Sequence, residues 1–306
     1  MTMIPHVQLP GTSLKFSRLV FGSVPLKEED LDGSFALLDA FVAAGGNAID
    51  TAHIYGSGAQ ARVLAQWMKS RGNREQMVIL DKGCHPMTGG PRVNAPTIRQ
   101  DVEDELRRLE TDYLDAWSFH RDQPGVDVRP LVDELHRLKE EGKIRCYGAS
   151  NWTLPRQESF NRQAAWRGAA PLAFNNPNYC LAVPNEQMWG DSHTLEPSEE
   201  AWHTAHQIPL VSWSAAAAGW FAGVEGPDVM RVFANPENEL RRARVREMAK
   251  ARGASPVQVA LAWVLNAPFP TWAIIGGDRP EHFAEAAGAC ALELSAADRA
   301  WLETGK

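Results

Sequence analysis

The stretch "NAIDTAHIYG", Asn47–Gly56, decides the fold. It begins small and apolar, reaches a single carboxylate at Asp50, and follows with a phenol at Tyr55. A short apolar run without polar alternation suits a strand buried on both faces of a parallel sheet. Together with the preceding glycine it forms the run "GNAIDT" (Gly46–Thr51), and seven others share its character. They are "RLVFGS" (Arg18–Ser23), "MVILDKG" (Met77–Gly83), "LDAWSFH" (Leu114–His120) and "IRCYGASN" (Ile144–Asn151), then "LAFNNP" (Leu172–Pro177), "PLVSWS" (Pro209–Ser214) and "TWAIIGG" (Thr271–Gly277).

Helical patterns fill the gaps. "DGSFALLDAFVAAGG" stops on glycines, which suit a helix C-terminus. "TIRQDVEDELRRLETD" carries an apolar stripe at three- and four-residue spacing and is expected to open on its threonine. "VRPLVDELHRLKEEGK" is similar and stops at Gly142, while "ASPVQVALAWVLNA" has Ser255 at its cap and Pro256 at the first helical position. Eight strands alternating with helices predict an α/β fold, a (β/α)8 TIM barrel spanning residues 1–306 as one domain. An open doubly wound sheet would want a Gly-x-Gly-x-x-Gly turn after the first strand, and "FGSVPL" lacks it. "VQLPGTSLKFS" predicts an N-terminal β-hairpin capping the barrel bottom.

Composition narrows the function. The chain has 306 residues, is 44% hydrophobic and carries a net charge of −7, which leaves no basic footprint for nucleic acid or an anionic membrane. Four scattered cysteines without a CxxC pair point to a reduced, cytoplasmic enzyme rather than a disulfide scaffold. The N-terminus shows no signal-peptide pattern, and the longest apolar stretch is too short to span a bilayer. Cys84 and His85 have no second His/Cys pair at ligand spacing, so no metal is expected.

Barrel sites lie at the C-terminal strand ends. That rule gathers Asp50, Lys82 and His120, with Tyr55 in the loop after the second strand. A free phenol has a pKa of about 10. The Lys82 ammonium is expected to lower it, Asp50 to hold Lys82 in place, and His120 to direct a substrate oxygen. Such a group suits proton transfer accompanying hydride transfer, and because no side chain donates hydride a nicotinamide cofactor is implied.

Taken together, "NAIDTAHIYG", "VILDKG", "SFHRDQP" and "IIGGDRPEHFAEAAGA" resemble, in order, motifs of the aldo-keto reductase family. The resemblance implies Asp50, Tyr55, Lys82 and His120 as the catalytic tetrad. It implies Ser150 and Asn151 as carboxamide contacts, Asn175 in place of the family's glutamine, and Trp213 as the ring stacked on the nicotinamide. It further implies Gly22 and Ser23 at the ribose and the turn Ser214, Ala215, Ala216, Ala218 and Gly219 around the pyrophosphate. At the adenosine end it leaves Gly276, Gly277, Arg279, His282 and Glu285, with Asp278 where many relatives are basic. NADP is the implied cofactor, with NAD open. Tyr55, His85, His120, Trp152 and Trp220 are candidates for the substrate pocket, and "NYCLAVPNEQMWGDSHTLEP" (Asn178–Pro197) for its cover. The small-molecule partner would be a carbonyl or alcohol, with a sugar or keto-sugar suggested by polar and aromatic groups. A regulatory cofactor-binding barrel, an NAD-dependent sugar dehydrogenase and a Schiff-base barrel using Lys82 remain alternatives, and the oligomeric state stays open.

Overall fold

The computed structural model describes residues 2–306. An antiparallel hairpin, β1 (His6–Gln8) and β2 (Lys15–Ser17), precedes the barrel. The barrel strands are β3 (Leu19–Gly22), β4 (Ala48–Asp50), β5 (Val78–Gly83), β6 (Leu114–Phe119), β7 (Ile144–Ser150), β8 (Asn175–Asn176), β9 (Leu210–Ser212) and β10 (Thr271–Ile275). All pair in parallel with their sequence neighbours, and β10 closes the ring by pairing with both β3 and β9. Each predicted strand coincides with one of these. The most trimmed is β8, whose predicted run ends on Pro177, a residue with no amide to give to a ladder.

Strand alternation divides the core into two layers. Val20, Ala48, Leu80, Ala116, Cys146, Phe174, Val211 and Ile274 point into the barrel. Phe21, Ile49, Ile79, Trp117, Phe119 and Tyr147 point outward to the helices. Leu9, Leu14 and Phe16 of the hairpin fill the bottom, where Phe16 stacks on Trp272 at a centroid distance of 5.1 Å. The expected hairpin cap is therefore present, and it completes the inner core.

The helices are α1 (Leu31–Ala43), α2 (Ala59–Arg71), α3 (Ala95–Arg108), α4 (Arg129–Glu140), α5 (Leu154–Trp166) and α6 (Pro197–His206). They continue with α7 (Pro227–Phe233), α8 (Pro236–Arg252), α9 (Pro256–Leu265), α10 (Glu281–Ala287) and α11 (Ala296–Thr304). Ser255 caps α9 in a reciprocal box with Gln258. The cap of α3 is Asn94, whose Oδ1 accepts from the Thr97 amide at 2.9 Å, so the threonine expected to open the helix sits one turn inside it. The asparagine carbonyl does the same work as a threonine hydroxyl and lies nearer the chain's entry. Among the described residues, no helix is long and apolar enough to cross a membrane.

Candidate active site

Eight parallel strands deliver their C-terminal ends to one rim. There the inward alternation continues, so Gly22, Asp50, Lys82, Ser150 and Trp213 face a cavity of about 1300 Å³. His120 joins them one residue beyond β6, its amide donating to the Gly83 carbonyl at 2.9 Å. Tyr55 is delivered by a tight turn after β4, where Gly56, Ser57 and Gly58 all have positive φ. The four predicted catalytic side chains therefore share one cavity.

Lys82 Nζ donates to Asp50 Oδ2 at 2.7 Å and to the Thr51 carbonyl at 2.8 Å. Burial works against the ammonium, but the facing Asp50 carboxylate favours it and Lys82 stands above its usual value. Its Nζ lies 5.1 Å from the Tyr55 ring centroid. The phenol itself is pushed up by burial, and Lys82 only partly opposes that shift. The expected depression of Tyr55 is thus corrected: the ammonium pulls in the anticipated direction, but loss of water around the hydroxyl is the larger effect. His120 is held well below its ordinary value by burial, then by Lys82, Arg121 and His85, so it is neutral near pH 7. Its ring stands edge-on to Tyr55 at 5.6 Å and to His85 at 4.7 Å. An ion-paired ammonium, a protonated phenol and a neutral imidazole thus line one cavity, an arrangement chemically able to give a proton to an oxygen bound there.

The cavity extends beyond this cluster toward Arg279, His282 and Glu285. Between the two ends runs a turn in which Ser214, Ala217, Ala218 and Gly219 have positive φ. Left-handed backbone at alanine and serine is costly and persists where a turn needs it. Here Ala217 N and Gly219 N close the turn on Ser214 O and Ala216 O, at 2.8 and 3.1 Å. The amides of Ala215 and Ala216 take no part in these backbone bonds. Such free amides suit the charge of a diphosphate, so the residues present fit a dinucleotide. At the far end Arg279 Nη2 contacts His282 Nε2 at 2.8 Å, and Asp278 lies 3.4 Å from His282 Nδ1.

Gly22, Ser150, Asn151, Trp213, Ser214, Ala215, Ala216, Ala218, Gly219, Gly276, Gly277 and His85 all line the cavity. Four predicted residues do not. Ser23 is fully buried behind Gly22, its amide bonded to the Asp50 carbonyl. Asn175 is one residue out of phase: Phe174 points into the barrel, so Asn175 turns away from the barrel interior, and Asn176 occupies the inward position. Trp152 packs on Phe119 at 4.7 Å with its Nε1 donating to the Arg121 carbonyl. Trp220 lies in the outer core beneath Arg242. Both indoles follow a site motif in sequence yet fill hydrophobic space behind it, as large aromatics usually do.

The sequence reading also passed over Val24, Ile54 and Arg121, which line the cavity. Arg121 directly follows His120 in "SFHRDQP", so the signal was adjacency to a recognised histidine. Trp189 and Gly190 from the expected cover also face the cavity, with Trp189 5.2 Å from Trp213. One triad of metal-type side chains, His53, Asp101 and Asp104, lies elsewhere. Its carboxylates already accept from Arg92, Arg107 and the Cys84 amide.

Fold and site together define the class: a (β/α)8 barrel whose C-terminal rim gathers Asp50, Tyr55, Lys82 and His120 in one long cavity. The chain belongs to the Aldo/keto reductase family, whose profile matches residues 18–304. It is 25% identical to aryl-alcohol dehydrogenase GME11368 of Pestalotiopsis microspora, over 97% of this chain and 80% of that protein. It is 26% identical to the NADP(+) aryl-alcohol dehydrogenase of Phanerodontia chrysosporium, over 90% of this chain and 79% of that one. Among solved structures, an aldo/keto reductase from Klebsiella pneumoniae in complex with NADP and acetate is similar at 26% identity and a TM-score of 0.73, covering 94% of this chain and 90% of that one. The protein is accordingly an NAD(P)H-dependent oxidoreductase, and NADP(H) is the cofactor its family uses.

Proposed function

We propose that the protein interconverts an aromatic aldehyde or ketone and its alcohol, with Tyr55 as the proton donor in reduction. The observation that carries this reading is the Lys82–Asp50 ion pair at 2.7 Å, set 5.1 Å from the Tyr55 ring in a cavity that neutral His120 also lines. The nicotinamide supplies the hydride when bound. Tyr55 donates its hydroxyl proton to the substrate oxygen, His120 orients that oxygen, and Lys82 stabilises the phenolate left behind. Asp50 keeps the ammonium fixed so that no reorganisation is needed as charge develops.

For the cofactor, Gly22, Ser150, Asn151 and Trp213 are assigned to the nicotinamide end, and Ser214, Ala215, Ala216, Ala218 and Gly219 to the diphosphate. Arg279 is the guanidinium available for a 2′-phosphate, with Gly276, Gly277, His282 and Glu285 around the adenosine. An aromatic substrate is favoured by the rings at the reacting end, Tyr55, His85, Trp189 and Trp213, and by relatives named for aryl alcohols. A sugar substrate loses part of its support with Trp152 and Trp220 out of the cavity. A Schiff-base role for Lys82 is opposed by its raised pKa, since an amine that stays protonated is a poor nucleophile.

The test is turnover with NADPH and with NADH over a panel of aryl aldehydes, aliphatic ketones and sugars. Aryl aldehydes should give the highest kcat/KM, with NADPH preferred. Cofactor binding without turnover on any carbonyl compound would instead indicate a regulatory barrel.

A further inference from the structure

The charges around the reacting end of the cavity do not balance, and the excess sits on one residue. Lys82 is neutralised by Asp50. His120 and His85 are both held below their ordinary value, chiefly by burial, so neither adds positive charge near pH 7. Arg121 remains. It is 7% exposed, lines the cavity, and donates from Nη1 to the His120 carbonyl at 2.8 Å. Among the described residues it makes no ion pair. Asp191, on the loop that carries Trp189, lies near enough to act on its charge but not to bond with it. Its remaining N–H groups have no protein acceptor among the described residues.

A guanidinium this buried is costly unless something anionic meets it. It presents a planar fork of donors matched to a carboxylate, which a lysine ammonium does not. Arg121 lines the same cavity as Tyr55 and His120, so its fork borders the chamber in which the substrate carbonyl must lie. We propose that Arg121 is an anion-recognition residue of the substrate pocket, and that the preferred substrates carry a carboxylate on the same small aromatic or aliphatic frame as the reacting carbonyl. This rests on the oxidoreductase reading for its chemistry but not for its binding. The carboxylate takes the place beside Arg121 that the protein leaves unfilled, and it anchors the carbonyl toward Tyr55.

The experiment compares 4-carboxybenzaldehyde with its methyl ester, using NADPH and the wild-type protein, Arg121→Gln and Arg121→Lys. The wild type should favour the carboxylate by at least about tenfold in kcat/KM, as expected when a site is built to bond a charged group. Arg121→Gln should abolish that preference, chiefly through KM. Arg121→Lys should keep part of it, because a point charge remains without the fork. In parallel, titration of the NADP-bound proteins with 4-carboxybenzaldehyde, followed by tryptophan fluorescence, reads binding alone. If no carbonyl compound is turned over but the carboxylate still binds the wild type and not Arg121→Gln, the reaction assignment falls and the anion site stands. A wild type indifferent to the carboxylate overturns the proposal. So does an Arg121→Gln variant that loses kcat equally on both compounds, since Arg121 would then act on Tyr55 rather than on substrate.

Discussion

At the scale of single residues, the proposed proton transfer turns on opposed pressures on one phenol. Burial holds the Tyr55 proton on, and Lys82 eases its departure. A phenol raised above its ordinary value is a protonated donor throughout the neutral range, which suits reduction. Carbonyl reduction should therefore be flat in rate from neutral to mildly alkaline pH and decline only where Tyr55 begins to lose its proton. Alcohol oxidation, which needs the phenolate, should climb over that same alkaline range. A pH profile of kcat in both directions checks this, and parallel profiles would contradict it. Tyr55→Phe removes the proton but leaves the ring, so turnover should fall by about 10²–10⁴-fold while NADPH affinity changes little, measured by steady-state kinetics beside fluorescence titration. That Asp50, Tyr55, Lys82 and His120 would meet was legible because polar residues at the ends of apolar runs have only one rim to occupy. The sign of the net shift on Tyr55 was not, since the depth of burial that sets it is a property of the folded packing. Ser23 and Asn175 fail for a sharper reason: with a period of two, a one-residue error in phase moves a side chain to the opposite face.

At the scale of elements, the residue just beyond strand β7 ties three segments together. Asn151, held at a φ of 61°, accepts on Oδ1 from the His193 amide at 2.9 Å and from Trp213 Nε1 at 3.1 Å. Its Nδ2 donates to the His120 carbonyl at 3.1 Å. The loop bearing Trp189, the β9 end and the histidine segment are thus fixed relative to one another by one amide. Sequence motifs marked Asn151 as a cofactor contact but carried no sign of this bracing, because its partners lie 31 to 62 positions away. Asn151→Ala should cost about 1–3 kcal/mol of stability by orphaning buried donors. It should also speed hydrogen exchange at the 189–195 amides more than at the β5 amides. Uniform acceleration across the barrel would show that the loop is held by other means.

At the scale of the whole molecule, the barrel was legible because eight apolar runs recur with helical spacers and a short alternating hairpin precedes them. Less legible was what lies between barrel and helices, where Asp81 points outward from β5 with neither carboxylate oxygen hydrogen-bonded. Burial, reinforced by Glu105, raises its pKa well above the ordinary carboxylate value, and Glu105 is itself pushed up to about 7, chiefly by burial. The sign of the linkage follows from which state holds the proton more tightly. Because the folded protein binds the Asp81 proton more strongly than the unfolded chain does, its contribution to stability is full below the unfolded pKa near 3.8. It is lost as pH rises from there through the raised folded value, at up to about 1.4 kcal/mol per pH unit for one group. Asp81→Asn keeps the shape and cannot ionise. Its melting temperature should fall less than that of the wild type between pH 5 and pH 8, and the two proteins should differ most at the alkaline end. Asp81 faces away from the cavity, so the same variant should still bind NADPH. Identical pH dependence in the two melting curves would mean that Asp81 ionises in the folded barrel as freely as in water, with a counter-charge or bound water satisfying it where burial alone would forbid the charge.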